Sequence, residues 1–240
     1  IDAEGIYTLA KVLEKEHEVI IAAPSSQKSA TSHSITIANP LTIKSVKLKD
    51  LKCKAFSISG TPADCVRIAL DKLLDEPVDM VISGMNYGIN LGIDVIYSGT
   101  VSAAIEAAIQ KIPSVAISCE VKDKLVNFES AAKLVPKILN TFKNKFLKND
   151  LVLNVNIPYT KGDFNKEIKV CKIGDTVYTS NFEKLEDKDT DMHFLLKGKF
   201  NTNHIDKSDV FYLYKGYVTI TPLHYDLTNF SILNEVSKWF

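Results

Sequence analysis

Residues 83–102 read SGMNYGINLGIDVIYSGTVS and hold four of the ten glycines of the chain. This stretch follows a mostly apolar run, Val78 to Ile82, that is typical of a buried strand, and it precedes an alanine-rich run, Val101 to Ile112, that is typical of a helix. The pattern predicts a glycine-rich loop at the carboxyl end of a strand, where open parallel sheets bind ligands. An ordinary long connection is the alternative, but loops of this length are usually functional.

The end of the stretch, Ser98-Gly99-Thr100, lies at the predicted start of the helix. Glycine lets the backbone approach an anion closely, and a helix N-terminus presents N–H groups and hydroxyls at its positive end. We therefore interpret Ser98, Gly99 and Thr100 as a phosphate-binding turn. Thr61 could hold an anion in the same way, although its place before Pro62 is adequately explained as a helix N-cap.

Outside this loop, predicted helices and strands alternate as far as Ile157. The predicted helices are Ala3 to Glu16, a helix opened by Thr61 and Pro62, Val101 to Ile112, and Asn127 to Phe146 with a kink at Pro136. The predicted strands are Val19 to Ala23, Leu41 to Leu48, Ala55 to Ser59, Val78 to Ile82, Ser114 to Ser118 and Leu151 to Ile157. Such alternation predicts an α/β class fold, a Rossmann-like three-layer domain with a mostly parallel sheet.

The character of the chain changes after Pro158. Strands are predicted at Ile168 to Ile173, Phe194 to Leu196 and Phe211 to Thr221, and a final helix capped by Thr228 ends at Phe240. We predict a catalytic core over residues 1–158 and, over residues 159–240, an antiparallel extension with a terminal helix that serves oligomerisation. Because the first predicted helix has no strand before it, we expect the first strand of the sheet to lie upstream of Ile1.

Composition limits the classes of function. The 29 basic and 29 acidic residues balance, so no overall field favours a nucleic acid polymer or an anionic membrane. No apolar run approaches the roughly 20 residues that span a bilayer. The four cysteines, Cys53, Cys65, Cys119 and Cys171, form no CxxC pair. We therefore expect free thiols, no structural zinc site, and a reducing, cytoplasmic location.

Several segments, taken in order, resemble the SurE family of survival proteins, which are metal-dependent 5′(3′)-nucleotidases. They are Ile1 to Gly5, Ala23-Pro24, Lys28-Ser29-Ala30, His33-Ser34-Ile35-Thr36, Gly60 to Cys65, Ser83 to Ser102 and Gly216 to Leu223. They run nearly end to end. The resemblance implies a nucleoside monophosphate substrate and a homodimer or homotetramer, in which the antiparallel extension is exchanged between subunits or used for further assembly. The apolar residues Phe211 to Tyr214 fit that use, although they could also lie in a core.

The resemblance also implies a divalent cation, Mg²⁺ or Mn²⁺, held by two adjacent aspartates, a serine and an asparagine. The aspartates belong to an Asn-Asp-Asp-Gly motif directly before the segment that matches Ile1, and the sequence does not contain that motif. The other two ligands correspond to Ser29 and Asn86, and oxygen ligands suit these metals. Read without the family, Ser29 is a solvated loop serine and Asn86 could be a left-handed turn residue.

Two further residues are candidates for proton transfer. Asp94 is a carboxylate in an otherwise neutral loop, where it could orient water or accept a proton, or bind backbone donors of the loop. His224 follows the last predicted strand and could protonate a leaving alkoxide, or be a structural histidine. Asn90 could hydrogen-bond to residues that bind the metal or the phosphate, or it could form a turn. His17, His193 and His204 have polar surroundings and are predicted to be surface residues.

The favoured function is hydrolysis of nucleoside monophosphates to nucleoside and phosphate by a metal-activated water. No serine or cysteine shows the sequence signature of an activated nucleophile, which argues against a phosphoenzyme. A nucleotide-binding regulatory protein without hydrolytic activity is the alternative. A dinucleotide-dependent oxidoreductase is disfavoured, because residues 88–92 do not have the spacing of a G-x-G-x-x-G motif.

Overall fold

The computed structural model describes residues 1–143, 150–162, 164, 167–185, 191–200 and 205–240. Its helices are α1 (Glu4–Leu13), α2 (Pro62–Ile68), α3 (Gly99–Ile109), α4 (Phe128–Lys143), α5 (Asp209–Tyr214) and α6 (Leu233–Val236). Its strands are β1 (Ile20–Pro24), β2 (Ile43–Val46), β3 (Lys54–Ile58), β4 (Val81–Tyr87), β5 (Ser114–Cys119), β6 (Val152–Ile157), β7 (Ile168–Val170), β8 (Tyr178–Thr179), β9 (Phe182–Lys184), β10 (Phe194–Leu196), β11 (Lys199–Phe200) and β12 (Val218–Leu223). A π-helical turn, Ala69–Leu73, continues α2, and a 3₁₀ helix covers Gly92–Tyr97.

Two sheets carry the fold. The larger has the order β4-β5-β6-β12-β7, in which β4, β5 and β6 are parallel and β12 runs antiparallel to β6. The smaller has the order β1-β3-β2, in which β1 and β3 are parallel. Helix α1 packs on both, since its Ala10 lies with Ile21 of β1 while Leu9 and Leu13 lie in the core of the larger sheet. The predicted α/β class is confirmed.

Helices cover both faces of the larger sheet, which makes three layers. Leu153, Val155 and Ile157 of β6 pack with α1 and α4, whereas Val152 on the opposite face packs with Val101 and Ala104 of α3. Because both faces are covered, every residue of β5 and β6 is buried, as is typical of parallel strands. The alanine-rich sequence of α3 lets that helix approach the sheet closely.

The N-terminus of α2 forms as its sequence predicts. The Thr61 hydroxyl accepts a hydrogen bond from Asp64 N at 3.1 Å, and the Asp64 carboxylate accepts one from Thr61 N at 2.9 Å. This capping box satisfies two backbone donors that a helix end otherwise leaves open. Pro62 follows at the first helical position, where its missing N–H costs nothing.

Two predictions for the C-terminal third were wrong. Residues 211–214 belong to α5 rather than to a strand, because the Ser208 side chain caps a helix there by accepting from Phe211 N, and Val210 and Leu213 are buried one turn apart. The last helix, α6, begins at Leu233 with Ile232 before it, so Thr228 does not cap it. Instead Thr228 N donates to the Asp226 side chain, as in a local turn.

Strands β7 and β12 follow residue 158 but lie in the same sheet as β4, β5 and β6. The small antiparallel pairs β9–β10 and β8–β11 lie outside that sheet. The division of the chain into a core and an assembly extension therefore stays a prediction. No helix in the described part of the chain has the length and apolar character needed to cross a bilayer.

Ile1 lies beside the carboxyl end of β1, where its backbone nitrogen donates a hydrogen bond to Pro24 O at 2.8 Å. Helix α1 then runs against β4, so closely that a side chain at Gly5 would overlap the Met85 carbonyl. The expectation of a strand upstream of Ile1 stays a prediction.

Candidate functional site

The candidate site lies at the carboxyl edge of the parallel strands. Asn86 pairs in register with Ser118 and Tyr87 with Cys119, so β4 and β5 end side by side. Two loops follow strands at this edge: the Ser29 loop (residues 25–36) after β1, and the glycine loop (residues 88–98) after β4. The second loop leads directly into α3. The topology therefore gathers polar loops and a helix N-terminus at one edge, the arrangement in which α/β sheets bind ligands.

Asn86 is a strand residue whose amide orientation is fixed by its neighbour. Its Nδ2 donates to Gly88 O at 2.8 Å, which identifies the nitrogen and leaves Oδ1 as the atom that a cation could contact. The residue belongs to β4 and does not have a positive φ, so the alternative of a left-handed turn residue is wrong. The strand continues to Tyr87, five residues beyond its predicted end at Ile82.

The Ser29 loop packs against the start of α3. Ser32 N donates to Tyr97 O at 3.1 Å, just before the helix. A Cβ added to Gly99 would lie 2.9 Å from Thr31 Oγ1 and 3.6 Å from Lys28 O. Only glycine leaves room for this approach. Ser29 itself is exposed, and its hydroxyl accepts a hydrogen bond from the Gln27 side chain at 3.1 Å.

The predicted phosphate-binding turn has both a capping role and open donors. The Ser98 hydroxyl accepts from Val101 N at 3.1 Å, so its oxygen acts as the N-cap of α3. Ser98 and Gly99 are buried and Thr100 is half-buried. A bound anion would meet the N–H groups of the first turn and the Thr100 hydroxyl, and Ser98 keeps its O–H as a further donor, because its oxygen only accepts from Val101 N.

Asn90 anchors the glycine loop to the sheet. Its Nδ2 donates to Ser118 Oγ at 2.6 Å, and its backbone N donates to Asn156 Oδ1 at 2.8 Å. The Nδ2 groups of Asn154 and Asn156 in turn donate to Asn90 O at 2.8 and 3.0 Å. Sequence reasoning missed this network. Its signal was two asparagines at alternate positions of the otherwise apolar strand β6.

Two carboxylates hold the other end of the glycine loop. Buried Asp209 accepts from Gly92 N at 2.9 Å and from Gly174 N and Val210 N, each at 2.8 Å. Burial raises the pKa of Asp209, although these hydrogen bonds oppose the shift. Asp94 is half-buried, and its Oδ2 accepts from Val177 N at 2.9 Å. This contact joins the glycine loop to Val177, which lies outside the loop, whereas the sequence suggested backbone donors of the loop itself.

A second buried carboxylate connects the Ser29 loop to two helices. Glu106 of α3 accepts from His33 Nε2 at 2.8 Å and from Arg67 Nη1 of α2 at 3.1 Å, and its side chain is 3% exposed. Sequence reasoning did not assign these residues. The signal was a single carboxylate in an alanine-rich helix whose residues are otherwise small or apolar.

His224 lies at the opposite edge of the sheet. Strand β12 runs antiparallel to β6 and ends with Leu223 paired to Val152, the first residue of β6. His224 is exposed there, and its Nδ1 accepts from Asp226 N at 3.0 Å. The structure therefore does not bring His224 and Asn86 together within one chain. His17 and His193 are exposed, as predicted, and His204 lies outside the described residues.

The cysteines have the properties of structural thiols. Cys65 and Cys119 are buried, and burial raises the pKa of each to about 12. A thiol with such a pKa is a poor nucleophile at neutral pH. Within the described residues, no three His, Cys, Asp or Glu side chains are grouped so that they could hold a metal ion.

Comparison with known proteins gives one consistent result. The sequence profile of the family described as Survival protein SurE matches residues 1–180. A protein named 5′-nucleotidase SurE from Clostridium tetani (strain Massachusetts / E88) is 58% identical over 240 residues, which is 100% of this chain and 96% of that protein. A second protein of that name, from Clostridium beijerinckii, is 49% identical over 243 residues, covering 100% and 95% of the two chains. The crystal structure of the SurE protein from Aquifex aeolicus superimposes with a TM-score of 0.85 at 33% identity, over 99% of this chain and 95% of that one.

Proposed function

The chain belongs to the SurE family, and we propose that it hydrolyses nucleoside 5′-monophosphates, and also 3′-monophosphates, to nucleoside and phosphate with the help of a divalent cation. The observation that carries the proposal is the packing of the Ser29 loop on the N-terminus of α3, at the carboxyl edge of the sheet where β4 ends with Asn86 and Tyr87. The relatives named 5′-nucleotidase SurE match this chain over its whole length, and they make hydrolysis a better hypothesis than binding alone.

We propose Asn86 Oδ1 and Ser29 Oγ as ligands of Mg²⁺ or Mn²⁺. The hydrogen bond from Asn86 Nδ2 to Gly88 O fits this role, because it engages the amide nitrogen and leaves the oxygen as the atom that can bind a cation. Two neutral oxygens are too few for either metal, which takes about six ligands. The two aspartates implied by the family resemblance precede the segment that matches Ile1. Ile1 N donates to Pro24 O at the carboxyl end of β1, directly before the Ser29 loop.

When bound, the cation would neutralise charge on the phosphate and activate a water molecule for attack. The chain supplies the rest. The first-turn N–H groups of α3 and the Thr100 hydroxyl would hold the equatorial phosphate oxygens as charge shifts during the reaction. The close packing of the Ser29 loop on Gly99 fixes these donors relative to the metal ligands. The high pKa of the buried thiols supports attack by water rather than by a cysteine of the chain.

For the two candidates for proton transfer, the contacts support different roles. We propose that Asp94 chiefly holds the glycine loop against Val177, since its Oδ2 accepts that backbone N–H at 2.9 Å. His224 could protonate a leaving group only from a second copy of the chain, because it lies at the other edge of its own sheet. We propose a homodimer or homotetramer. The exposed side chains of Phe230, Trp239 and Phe240 support burial of the C-terminal segment against another subunit. We also propose a cytoplasmic location.

The proposal is tested by phosphate release from 5′-AMP and 3′-AMP by the full-length protein, with Mg²⁺ or Mn²⁺ and after treatment with a chelator. Release that requires the cation, and returns when the cation is restored, is the expected result. Binding of the nucleotides without phosphate release would instead support a regulatory protein, and release that survives the chelator would contradict the role of the metal.

A further inference from the structure

Among the described residues, the Ser29 loop is held at Ser25, whose backbone N donates to Ile58 O at 2.7 Å, and at four points beyond Ser29. Ser32 N donates to Tyr97 O, His33 donates to Glu106, Ser34 O accepts from the Thr61 hydroxyl at 2.7 Å, and Thr36 donates to Asp64 through both its backbone N and its hydroxyl. Of the four partners beyond Ser29, Thr61 and Asp64 lie at the N-terminus of α2, and Tyr97 lies directly before α3. Only the His33 contact reaches into the buried interior of α3 itself.

Glu106 is well suited to hold a loop in one place. Its carboxylate is 3% exposed, and each of its two oxygens has one partner: Oε2 has His33 and Oε1 has Arg67. A buried carboxylate is costly without partners, so the pocket favours the arrangement in which His33 donates. His33 side-chain exposure is 31%, so this residue enters from the surface loop, whereas the carboxylate is part of the core.

The segment between Ser29 and His33 has an unusual backbone. Ala30 and Ser32 have φ angles of 52° and 50°, in the left-handed region that side chains rarely adopt. Such residues persist only where surrounding contacts determine the conformation. The contact of His33 with Glu106 is the first side-chain hydrogen bond after these two residues, and it joins the Ser29 loop to the interior of α3.

We propose that Glu106, acting through His33, is a positioning residue for the divalent cation: the pair fixes the Ser29 loop so that the Ser29 hydroxyl faces the metal site. The inference rests on the proposed function, since it takes Ser29 as a metal ligand. In this role His33 and Glu106 would act on the metal through Ser29 and would contact neither the metal nor the substrate. Partners that orient a metal ligand from behind typically affect metal affinity about 10- to 100-fold.

The test measures Mn²⁺ affinity of the full-length protein by electron paramagnetic resonance of free Mn²⁺, without substrate. His33→Ala is expected to weaken Mn²⁺ binding about tenfold, toward the low end because three other anchors remain. His33→Gln is expected to recover most of the affinity, because the glutamine amide N–H can occupy the position of Nε2–H. Hydrogen exchange at Ser32 should be faster in His33→Ala than in the wild-type protein, since that amide donates to Tyr97 O within the same loop.

Arg67→Ala is the matched control, because it removes the partner of Glu106 that lies on α2 and keeps the contact between Glu106 and His33 of the Ser29 loop. It should change Mn²⁺ affinity less than about twofold even if it lowers the melting temperature as much as His33→Ala does. Unchanged Mn²⁺ affinity in His33→Ala, or equal weakening in Arg67→Ala or His33→Gln, would overturn the inference. Failure of the proposed function would look different: the wild-type protein itself would not bind Mn²⁺, while the hydrogen-exchange result would still report on the loop anchor.

Discussion

Asp209→Asn is expected to loosen the glycine loop although residue 209 lies 117 positions from Gly92 in the chain. Asparagine can keep Oδ1 on Gly174 N and Val210 N, but it must place an N–H group where Asp209 Oδ2 now accepts from Gly92 N. The change removes the hydrogen bond from Gly92 N and leaves that buried donor without a partner, which costs about 1–3 kcal/mol. For a chain of this size, about 2 kcal/mol corresponds to a fall in melting temperature of roughly 4–8 °C.

The pH dependence of this effect has a definite sign. Burial raises the pKa of Asp209 above its ordinary value of 3.8, and the hydrogen bonds of its carboxylate oppose the shift only in part. Because the folded-state pKa is the higher one, the contribution of Asp209 to the free energy of unfolding is full below about pH 3.8 and is lost as the pH rises through the folded-state pKa. Asparagine does not titrate. The destabilisation caused by Asp209→Asn should therefore be larger toward pH 4.5 than at pH 7.5.

Urea unfolding of both proteins at these two pH values measures the difference, and hydrogen exchange at Gly92 reports the loop directly. Asp209→Ala serves as the graded comparison, since it removes the acceptors of three buried donors and should destabilise more than Asp209→Asn. A free energy of unfolding within 0.5 kcal/mol of wild type for Asp209→Asn, which is roughly the effect of an ordinary surface substitution, would refute the reasoning. So would a destabilisation that grows as the pH rises.

Three further predictions concern the site and its supports. Asn86→Ala should lower kcat/KM for 5′-AMP by at least about 100-fold, because mutating even a residue that only hydrogen-bonds to a metal ligand typically costs about 10- to 100-fold. The loss of its hydrogen bond to Gly88 should cost only about 1 kcal/mol of stability. A loss of activity matched by an equal loss of melting temperature would indicate a structural asparagine. His224→Ala should lower turnover of 5′-AMP by about 100-fold and turnover of p-nitrophenyl phosphate only slightly, because the aryl leaving group needs no proton. Mixed oligomers of His224→Ala and Asn86→Ala subunits should regain activity. Mixtures that stay inactive would exclude a histidine donated between subunits. Burial raises the pKa of Asp64, but the hydrogen bonds from Thr36 and Thr61 outweigh burial and lower the pKa overall. The stabilisation by Asp64 is therefore present above about pH 3.8 and is lost as the pH falls through the folded-state pKa. Asp64→Asn should destabilise the protein at pH 7 and flatten the acid limb of a plot of unfolding free energy against pH, and an unaltered acid limb would argue against this assignment.

The alternation of helices and strands was readable from the sequence because it depends on local periodicity. Helix α1, the capped start of α2 and the buried strands β5 and β6 all lie where their patterns predict, since each buries a face whose spacing is that of its own backbone. Residues 211–214 were not readable in this way. Four consecutive apolar residues have no period, and the choice of helix is made by the cap at Ser208, three residues before Phe211.

The supports of the site could not be predicted, because they join residues far apart in the chain. His33 and Glu106 are 73 positions apart, and Asn90 and Asn156 are 66 positions apart. A carboxylate in an apolar helix and two asparagines in an apolar strand show that buried polar partners must exist. They do not show which residues those partners are, since that depends on how helices and loops pack. The metal ligands were implied by family resemblance rather than by local pattern, and their roles stay predictions.

The most direct test of the central proposal is anomalous diffraction from crystals of the full-length protein grown with Mn²⁺ and a nucleoside monophosphate. We predict a manganese peak at the carboxyl edge of the sheet, about 2.0–2.6 Å from Asn86 Oδ1 and Ser29 Oγ, with the phosphate at the first turn of α3. A manganese peak bound by other residues, or no peak at this edge while the nucleotide is bound elsewhere, would contradict the account.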